Sequence, residues 1–365
     1  MCIFVAEKTN TQKIMKKIMI CLLAMFGLTS ACGQQNVENV DVKGFSELTE
    51  DPGAILLDVR TAEEFAEGHI PGAINIDQKQ DDFIEKAKSQ LSTDKTIAVY
   101  CRSGRRSANA AGRLTAEGYK CLNLKGGILA WKEANMPVTT DTYEVDVFKT
   151  PGGKTVKFHA LVHASIRMEY DGKEIEIDPV TKLGNKTIDY TAMPKADYIF
   201  VTHEHGDHFN VDAINLLTAD GTQLVTNQRC ADMLGSGKVM VNGDKLQLSE
   251  DITVEAVPAY NTTEGRQQFH PKGRDNGYIL TIDGLRVYVA GDTEDIPEMS
   301  SIKDIDIAFL PCNQPYTMTT DQLVNAAKII KPKVLFPYHY GQTDVSNIPS
   351  QLKDEGVEVR IRHYE

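Results

Sequence analysis

Between positions 203 and 208 the chain reads His203-Glu204-His205-Gly206-Asp207-His208. Three imidazoles and an aspartate in so short a run form a donor set suited to zinc, manganese or iron. Ligands this close in sequence serve two neighbouring ions only if their side chains point to different sides, and this spacing allows it. Well before them stands a different chemistry, Cys101-Arg102-Ser103-Gly104-Arg105-Arg106-Ser107. A loop that runs from a strand into a helix offers backbone N–H groups and a helix N-terminus, both of which favour negative charge, and three arginines add to it. The Cys101 thiol is therefore expected to be depressed in pKa and largely thiolate at neutral pH.

The elements that must position these groups follow from pattern. Ala54-Ile55-Leu56-Leu57-Asp58-Val59 reads as a buried strand, and Thr61 with Glu64 three residues on as the capping box of a short helix. Thr96–Tyr100 is a second buried strand, and Arg105 to Glu117 a helix closed by Gly118. This rhythm predicts an α/β fold with a doubly wound, mostly parallel sheet, whose sites lie at the carboxyl ends of its strands. Met136-Pro137-Val138-Thr139-Thr140-Asp141 breaks the pattern and marks a boundary. Beyond it, residues 143–148 and 155–158 alternate in polarity around a Pro151-Gly152-Gly153 hairpin turn. The alternation places Tyr143, Val145 and Val147 on one face of the first strand, and Val156 and Phe158 on one face of the second. Residues 198–202 form a buried strand that ends at the histidine cluster.

The first segment resembles the rhodanese family across its length. The motifs are Leu57-Asp58-Val59-Arg60, Glu63-Glu64-Phe65, Gly68-His69-Ile70-Pro71-Gly72-Ala73-Ile74-Asn75, the 100–107 loop, Leu124-Lys125-Gly126-Gly127 and Trp131. The resemblance implies that Cys101 accepts a sulfane sulfur and carries it as a persulfide to a thiol. Arg106, with Arg102, Ser103, Gly104, Arg105 and Ser107, would shape the loop, and Asp58 and Arg60 would brace it. The six residues from Cys101 to Arg106 match the loop size that the family uses for sulfur. Related phosphatases and arsenate reductases place the arginine one position later, where this chain has Ser107. Cys121 matches no motif and is read as a packing residue.

The second segment resembles the metallo-β-lactamase superfamily, in its lactonase-like branch of metal-dependent hydrolases. The motifs include Val162-His163-Ala164-Ser165, Ile177-Asp178-Pro179, the histidine cluster and Pro258-Ala259-Tyr260-Asn261. Phe269-His270-Pro271-Lys272-Gly273, Ala290-Gly291-Asp292-Thr293 and Pro337-Tyr338-His339-Tyr340-Gly341 complete them. The implied fold is a four-layer αβ/βα sandwich with the site at one edge of two packed sheets. By the resemblance, His203 and His205 hold one metal, while Asp207, His208 and His339 hold a second, with Asp292 bridging. Many members carry a histidine where this chain has Asn261, a weak ligand, so the first ion is expected to be the looser one. His270 could compensate from the following loop or meet substrate. His163 is read as supporting the ligands, and His159 and His363 as outside the site. One or two divalent ions are expected, zinc first, with manganese or iron as alternatives. Between two ions, water is a ready nucleophile, because metal binding lowers its pKa to about 7.

Lys13, Lys16 and Lys17 precede an eleven-residue apolar run, Ile18–Leu28, followed by Thr29-Ser30-Ala31-Cys32. The run has signal-peptide length and falls short of the roughly twenty residues of a spanning helix. Its end resembles a bacterial lipobox, which implies cleavage before Cys32 and lipidation of that cysteine. The expected organisation is a signal peptide over 1–31, a tether over 32–41, a rhodanese-like domain over 42–138 and a metallo-β-lactamase-like domain over 142–365. Loss of the signal removes four lysines and one glutamate, taking the formal charge from −12 to −15. So acidic a chain has no electrostatic footprint for nucleic acid. Seven scattered cysteines do not form a disulfide framework. These features together predict a lipid-anchored envelope enzyme with a sulfur-transfer site and a hydrolase site acting on a small molecule. A mononuclear iron persulfide dioxygenase is the alternative enzyme reading, weakened by the order of the domains and by Asn261. A non-catalytic anchored binding protein is the third.

Overall fold

The computed structural model describes residues 37–140 and 143–364. The expected signal peptide, Cys32 and the first half of the tether, residues 32–36, lie outside the described residues. Among those described, no helix is long and apolar enough to cross a membrane.

The first domain is a five-stranded parallel sheet. Its strands are β1 (Glu38–Val40), β2 (Ala54–Asp58), β3 (Ile74–Asn75), β4 (Thr96–Tyr100) and β5 (Lys120–Leu124), in the order β1-β5-β4-β2-β3. Helices cover both faces. Phe45 of α1 (Val42–Thr49) packs on one face with Ile128 and Trp131 of α5 (Gly127–Glu133). Phe83 and Ala87 of α3 (Phe83–Gln90) pack on the other with Ala110, Ala111 and Leu114 of α4 (Arg105–Ala116). Short α2 (Ala62–Ala66) starts with the expected capping box, Thr61 and Glu64 each bonding the other's backbone. The sheet begins earlier than pattern suggested: Glu38–Val40, assigned to the tether, pairs in register with Leu122–Leu124. An edge strand this short is held by backbone bonds and needs no apolar alternation, so its polar residues hid it.

The second domain packs two seven-stranded sheets face to face. Its strands are β6 (Glu144–Lys149), β7 (Thr155–Val162), β8 (Ser165–Tyr170), β9 (Lys173–Ile177), β10 (Lys182–Leu183), β11 (Lys186–Thr187), β12 (Tyr198–Phe200), β13 (Gln223–Thr226) and β14 (Lys238–Val239). They continue as β15 (Lys245–Gln247), β16 (Ile252–Ala259), β17 (Asp275–Ile282), β18 (Leu285–Val289), β19 (Ile307–Pro311), β20 (Val334–Tyr338) and β21 (Glu358–Val359). One sheet runs β14-β13-β12-β9-β8-β7-β6 and the other β15 through β21 in sequence order, with β10 and β11 forming a separate ribbon. The layer between the sheets is apolar: Val156, Phe158, Ile166, Met168 and Phe200 from one meet Val254, Leu280, Val287, Phe309 and Phe336 from the other. Helices α6 (Val211–Leu217) and α7 (Gln228–Leu234) cover the first sheet, and α8 (Thr320–Ile330) and α9 (Ile348–Leu352) the second. This is the expected four-layer sandwich.

Strand β6 turns the face opposite Val145 and Val147 toward the core. Its partner strand β7 does turn Val156 and Phe158 inward, but β6 packs Phe148 against the inner core and buries Asp146. A carboxylate is tolerated there because Arg360 and Arg362 reach it, with Arg360 Nη1 at 2.8 Å and Arg362 Nε and Nη2 at 2.7 and 2.6 Å. Burial opposes the charge, but the two guanidinium groups, Arg362 foremost, outweigh it and hold the carboxyl below its usual range. The pair ties the C-terminal segment to the edge of the first sheet. Asp146→Asn should cost on the order of 3 kcal/mol in urea unfolding at neutral pH, because it removes the buried charge that Arg362 and Arg360 share. Since the folded pKa is depressed, this stabilisation is present above the unfolded value of about 4 and is lost as pH falls through the folded one. The difference between the two proteins should therefore shrink in acid.

Candidate functional site

Two sets of chemical groups stand at strand ends, one in each domain. In the first domain β4 delivers Cys101 directly into α4, whose N-cap Gly104 has φ +87°. The loop is pinned from the side by Gly127, where a Cβ would lie 2.4 Å from the Cys101 carbonyl oxygen. Ile128 N–H donates to that same oxygen at 2.8 Å. Cys101 Sγ accepts from Gly104 N–H at 3.2 Å and Ser107 Oγ–H at 3.3 Å. Burial opposes ionisation of the thiol, yet the hydrogen bonds of Ser107, Ser103 and Gly104 prevail and lower its pKa.

The arginines act differently from expectation. Arg106 grips Glu64 through two bonds of 2.7 and 2.6 Å, drawing the Glu64 carboxyl to about 2, and lies against Cys101 as well. Arg102, Ser103 and Arg105 are exposed at the rim. The backbone N–H groups expected from sequence, joined by the Ser107 hydroxyl, thus favour the thiolate, while two of the three arginines stand at the rim. Asp58 takes Arg60 through Nε and Nη2, and Arg60 reaches on to the Gly68 carbonyl at 2.8 Å, which fixes the chain leaving β2 beside the loop. Cys121 is buried in the core, and burial pushes its pKa up to about 11.

In the second domain the six expected ligands converge. His203, His205, Asp207 and His208 follow β12, Asp292 follows β18 and His339 follows β20. Ligand atoms of His203, His205, His270 and Asp292 lie within 4.8 Å of one another, as do those of His163, Asp207, His208 and His339. Asp292 faces both groups. Its Oδ1 is 3.1 Å from His208 Nε2 and 3.3 Å from His339 Nε2, while its Oδ2 is 3.3 Å from His270 Nε2 and 3.8 Å from His203 Nε2. Asp207 Oδ2 lies 3.3 Å from His163 Nε2 and 3.6 Å from His339 Nε2. Burial works against its charge, but the imidazoles of His163 and His339 beside it hold the carboxyl below its usual range.

Two readings from sequence change here, and one left open is narrowed. His270 joins the first group, whereas Asn261 does not: its Nδ2 donates to the Tyr316 carbonyl at 2.8 Å. The exchange has a backbone cause, since Asn261 N–H donates to the His270 carbonyl at 2.9 Å and folds the later loop over the site. His163, read as a supporting residue, sits at φ +54° at the end of β7 with its ring 3.8 Å from that of His339. It stands among the second group of donors. The residues that orient the imidazoles had no assigned role. Asp178 accepts from His208 Nδ1 at 2.8 Å, Asp275 from His270 Nδ1 at 3.0 Å, and Thr202 Oγ1 lies 3.0 Å from His203 Nδ1. Each contact leaves the Nε2 of its ring pointing inward, as metal-binding histidines require. Only the aspartate in Ile177-Asp178-Pro179 was flagged by a motif.

The donor set fits divalent metal. His208 Nε2, His270 Nε2, His339 Nε2 and Asp292 Oδ1 are all buried without a hydrogen-bond partner, a costly arrangement unless something else meets them. Burial and the neighbouring His208 lower the pKa of His203. At His339 burial is overcome by Asp292 and Asp207, which raise it to about 9. A divalent cation in each group would satisfy these atoms.

Comparison with known proteins agrees with this division. Residues 41–134 match the family model of the rhodanese-like domain, and residues 157–339 that of the β-lactamase superfamily domain. A UPF0173 metal-dependent hydrolase of Archaeoglobus fulgidus is 29% identical over 221 residues, covering 56% of this chain and 94% of that protein. One from Ligilactobacillus salivarius is 32% identical over 184 residues, covering 49% and 82%. A solved structure from Parabacteroides distasonis, assigned as a metal-dependent hydrolase, is 51% identical with a TM-score of 0.59; it covers 61% of this chain and all of its own. The chain belongs to the β-lactamase superfamily through a second domain of the UPF0173 metal-dependent hydrolase family, which it joins to a rhodanese-like domain.

Proposed function

We propose that this protein is a two-site enzyme: a metal-dependent hydrolase of the lactonase-like branch, joined to a rhodanese-type sulfur carrier. The observation that carries the hydrolase half is the carboxylate of Asp292, which turns one oxygen toward each of two histidine-rich groups. His203, His205 and His270 would hold one ion and Asp207, His208, His339 and His163 the other, with Asp292 between them. So many imidazoles favour zinc, with manganese or iron as alternatives. Bound there, such ions polarise a carbonyl or phosphoryl oxygen and make water a nucleophile near neutral pH. Thr202, Asp178 and Asp275 hold the imidazoles of His203, His208 and His270 by their Nδ1 atoms, and burial keeps bulk water from the inward donors. Small esters, lactones and phosphodiesters are the substrate classes to screen. The names of the UPF0173 relatives support hydrolysis in general and no particular substrate.

Two divalent ions per chain should survive dialysis, measured by elemental analysis. His270→Ala should lose one of them. Asn261→Ala should keep both, because the Asn261 amide is engaged with Tyr316.

The sulfur half rests on the buried Cys101 thiol among N–H and O–H donors. It would take sulfane sulfur from thiosulfate or a related donor and pass it to a thiol. Cys101→Ser should abolish transfer, since a hydroxyl forms no persulfide. Ser107→Ala should slow it and move the pH profile of single-turnover sulfur uptake upward. The sign follows from the lowered thiol pKa: removing a donor to the thiolate raises it, so a higher pH is needed for the same thiolate fraction.

The third part of the proposal is an envelope lipoprotein anchored through Cys32, supported by the basic, apolar and small-residue succession before that cysteine. Expressed in a bacterium, the full chain should fractionate with membranes. Cys32→Ala should leave it unlipidated, read by mass spectrometry.

A further inference from the structure

Arg274 belongs to neither group of donors, yet its guanidinium joins the segments that supply the first. Nε donates to Asp275 Oδ1 at 2.6 Å and Nη2 to Asp275 Oδ2 at 2.8 Å, a two-pronged grip on a carboxylate that is fully buried. Nη2 also donates to the carbonyl of Phe269 at 2.7 Å, the residue just before His270. Nη1 lies 3.4 Å from Oε1 of Glu204, the residue between His203 and His205. Asp275 in turn receives His270 Nδ1 at 3.0 Å.

We infer that Arg274 is a positioning residue for the first ion, setting the His270 loop and the His203–His205 segment to one shared geometry. The inference rests on the reading of His270 as a ligand. The physical basis is the planar fork. Only a guanidinium can hold both carboxylate oxygens while also reaching a carbonyl and a second carboxylate. With it, Asp275 has one orientation, so the His270 ring has one too, and the Phe269 carbonyl fixes the height of the loop. Glu204 then registers the opposite segment against the same group. Arg229 Nε also approaches Glu204 Oε1, at 3.2 Å, but it touches neither Asp275 nor the His270 loop and cannot replace this link. Partners that orient metal-binding histidines typically matter by about 10–100-fold in affinity.

The test uses the metal-stripped full chain, titrated with Co2+ by equilibrium dialysis while the visible absorption of the ion is recorded. The wild type should take two ions. Arg274→Met should weaken the first by about 10–100-fold, change its absorption band, and leave the second at wild-type affinity. Arg274→Lys, which keeps the charge without the fork, should fall between. Wild-type binding of both ions by Arg274→Met overturns the inference. His270→Ala separates the two ideas: loss of an ion there with none lost in Arg274→Met defeats only the role of Arg274. Two ions retained in His270→Ala defeats the ligand reading, and the inference with it. Should Arg274→Met fail to fold by circular dichroism, Glu204→Ala decides. It cuts the link to His203 and His205 while sparing the grip on Asp275, and weakened first-ion binding supports the inference, whereas wild-type binding overturns it.

Discussion

A single carboxylate, that of Asp292, sits between four imidazoles from three separate stretches of chain, and the second domain is arranged to deliver it there. Its backbone leaves β18 through Gly291 at φ +64°, where a Cβ would come within 2.8 Å of the Asn276 carbonyl. Gly291 N–H donates at 2.9 Å to the hydroxyl of Tyr338, the residue before His339. The loop that carries the shared carboxylate is thus tied to the strand that carries one of its partners. Both strands belong to the parallel half of their sheet, so their carboxyl ends emerge on the same side. The same holds for β9 and β12 in the facing sheet, which bring Asp178 and the histidine cluster to that edge.

The site concentrates charge where water is scarce. Asp178, Asp275 and Asp292 are almost wholly buried, and so are His203, His208, His270 and His339. Such a cluster persists only if each group meets an opposite charge or a good donor. Asp178 and Asp275 meet this need by each holding an imidazole, and Arg274 completes the second pair. The inward Nε2 atoms that remain are the residue of this arrangement, and a divalent cation is the chemical species that fits them.

The first domain meets the same problem with opposite chemistry. There the buried group is a thiol, and the compensation is a ring of N–H and O–H donors at the start of α4. The neighbouring Arg106 is largely matched by Glu64, so its charge is balanced close to its own position. Both sites occupy the carboxyl ends of parallel strands, where main-chain donors and loops are free to face a ligand.

By itself the sequence marked most element types, the two-domain α/β division, the Cys101 loop and the cluster of His203, His205, Asp207 and His208, whereas Asp292 and His339 were reached through the resemblance to a known superfamily. The elements, the loop and the cluster follow from local causes: strand-sized apolar runs, capping residues and candidate ligands within a few positions of one another. What only the tertiary structure decided depends on approach between distant segments. That His270 stands with His203 and His205 while Asn261 turns to Tyr316 follows from one hydrogen bond between the two ends of a loop. That Asp146 is buried follows from Arg360 and Arg362, more than two hundred positions along the chain. The assignment of Asp178 and Asp275 to particular imidazoles is of the same kind. A carboxylate in a sequence carries no sign of its partner, because the energy of burying it is set by whichever charge folding brings beside it.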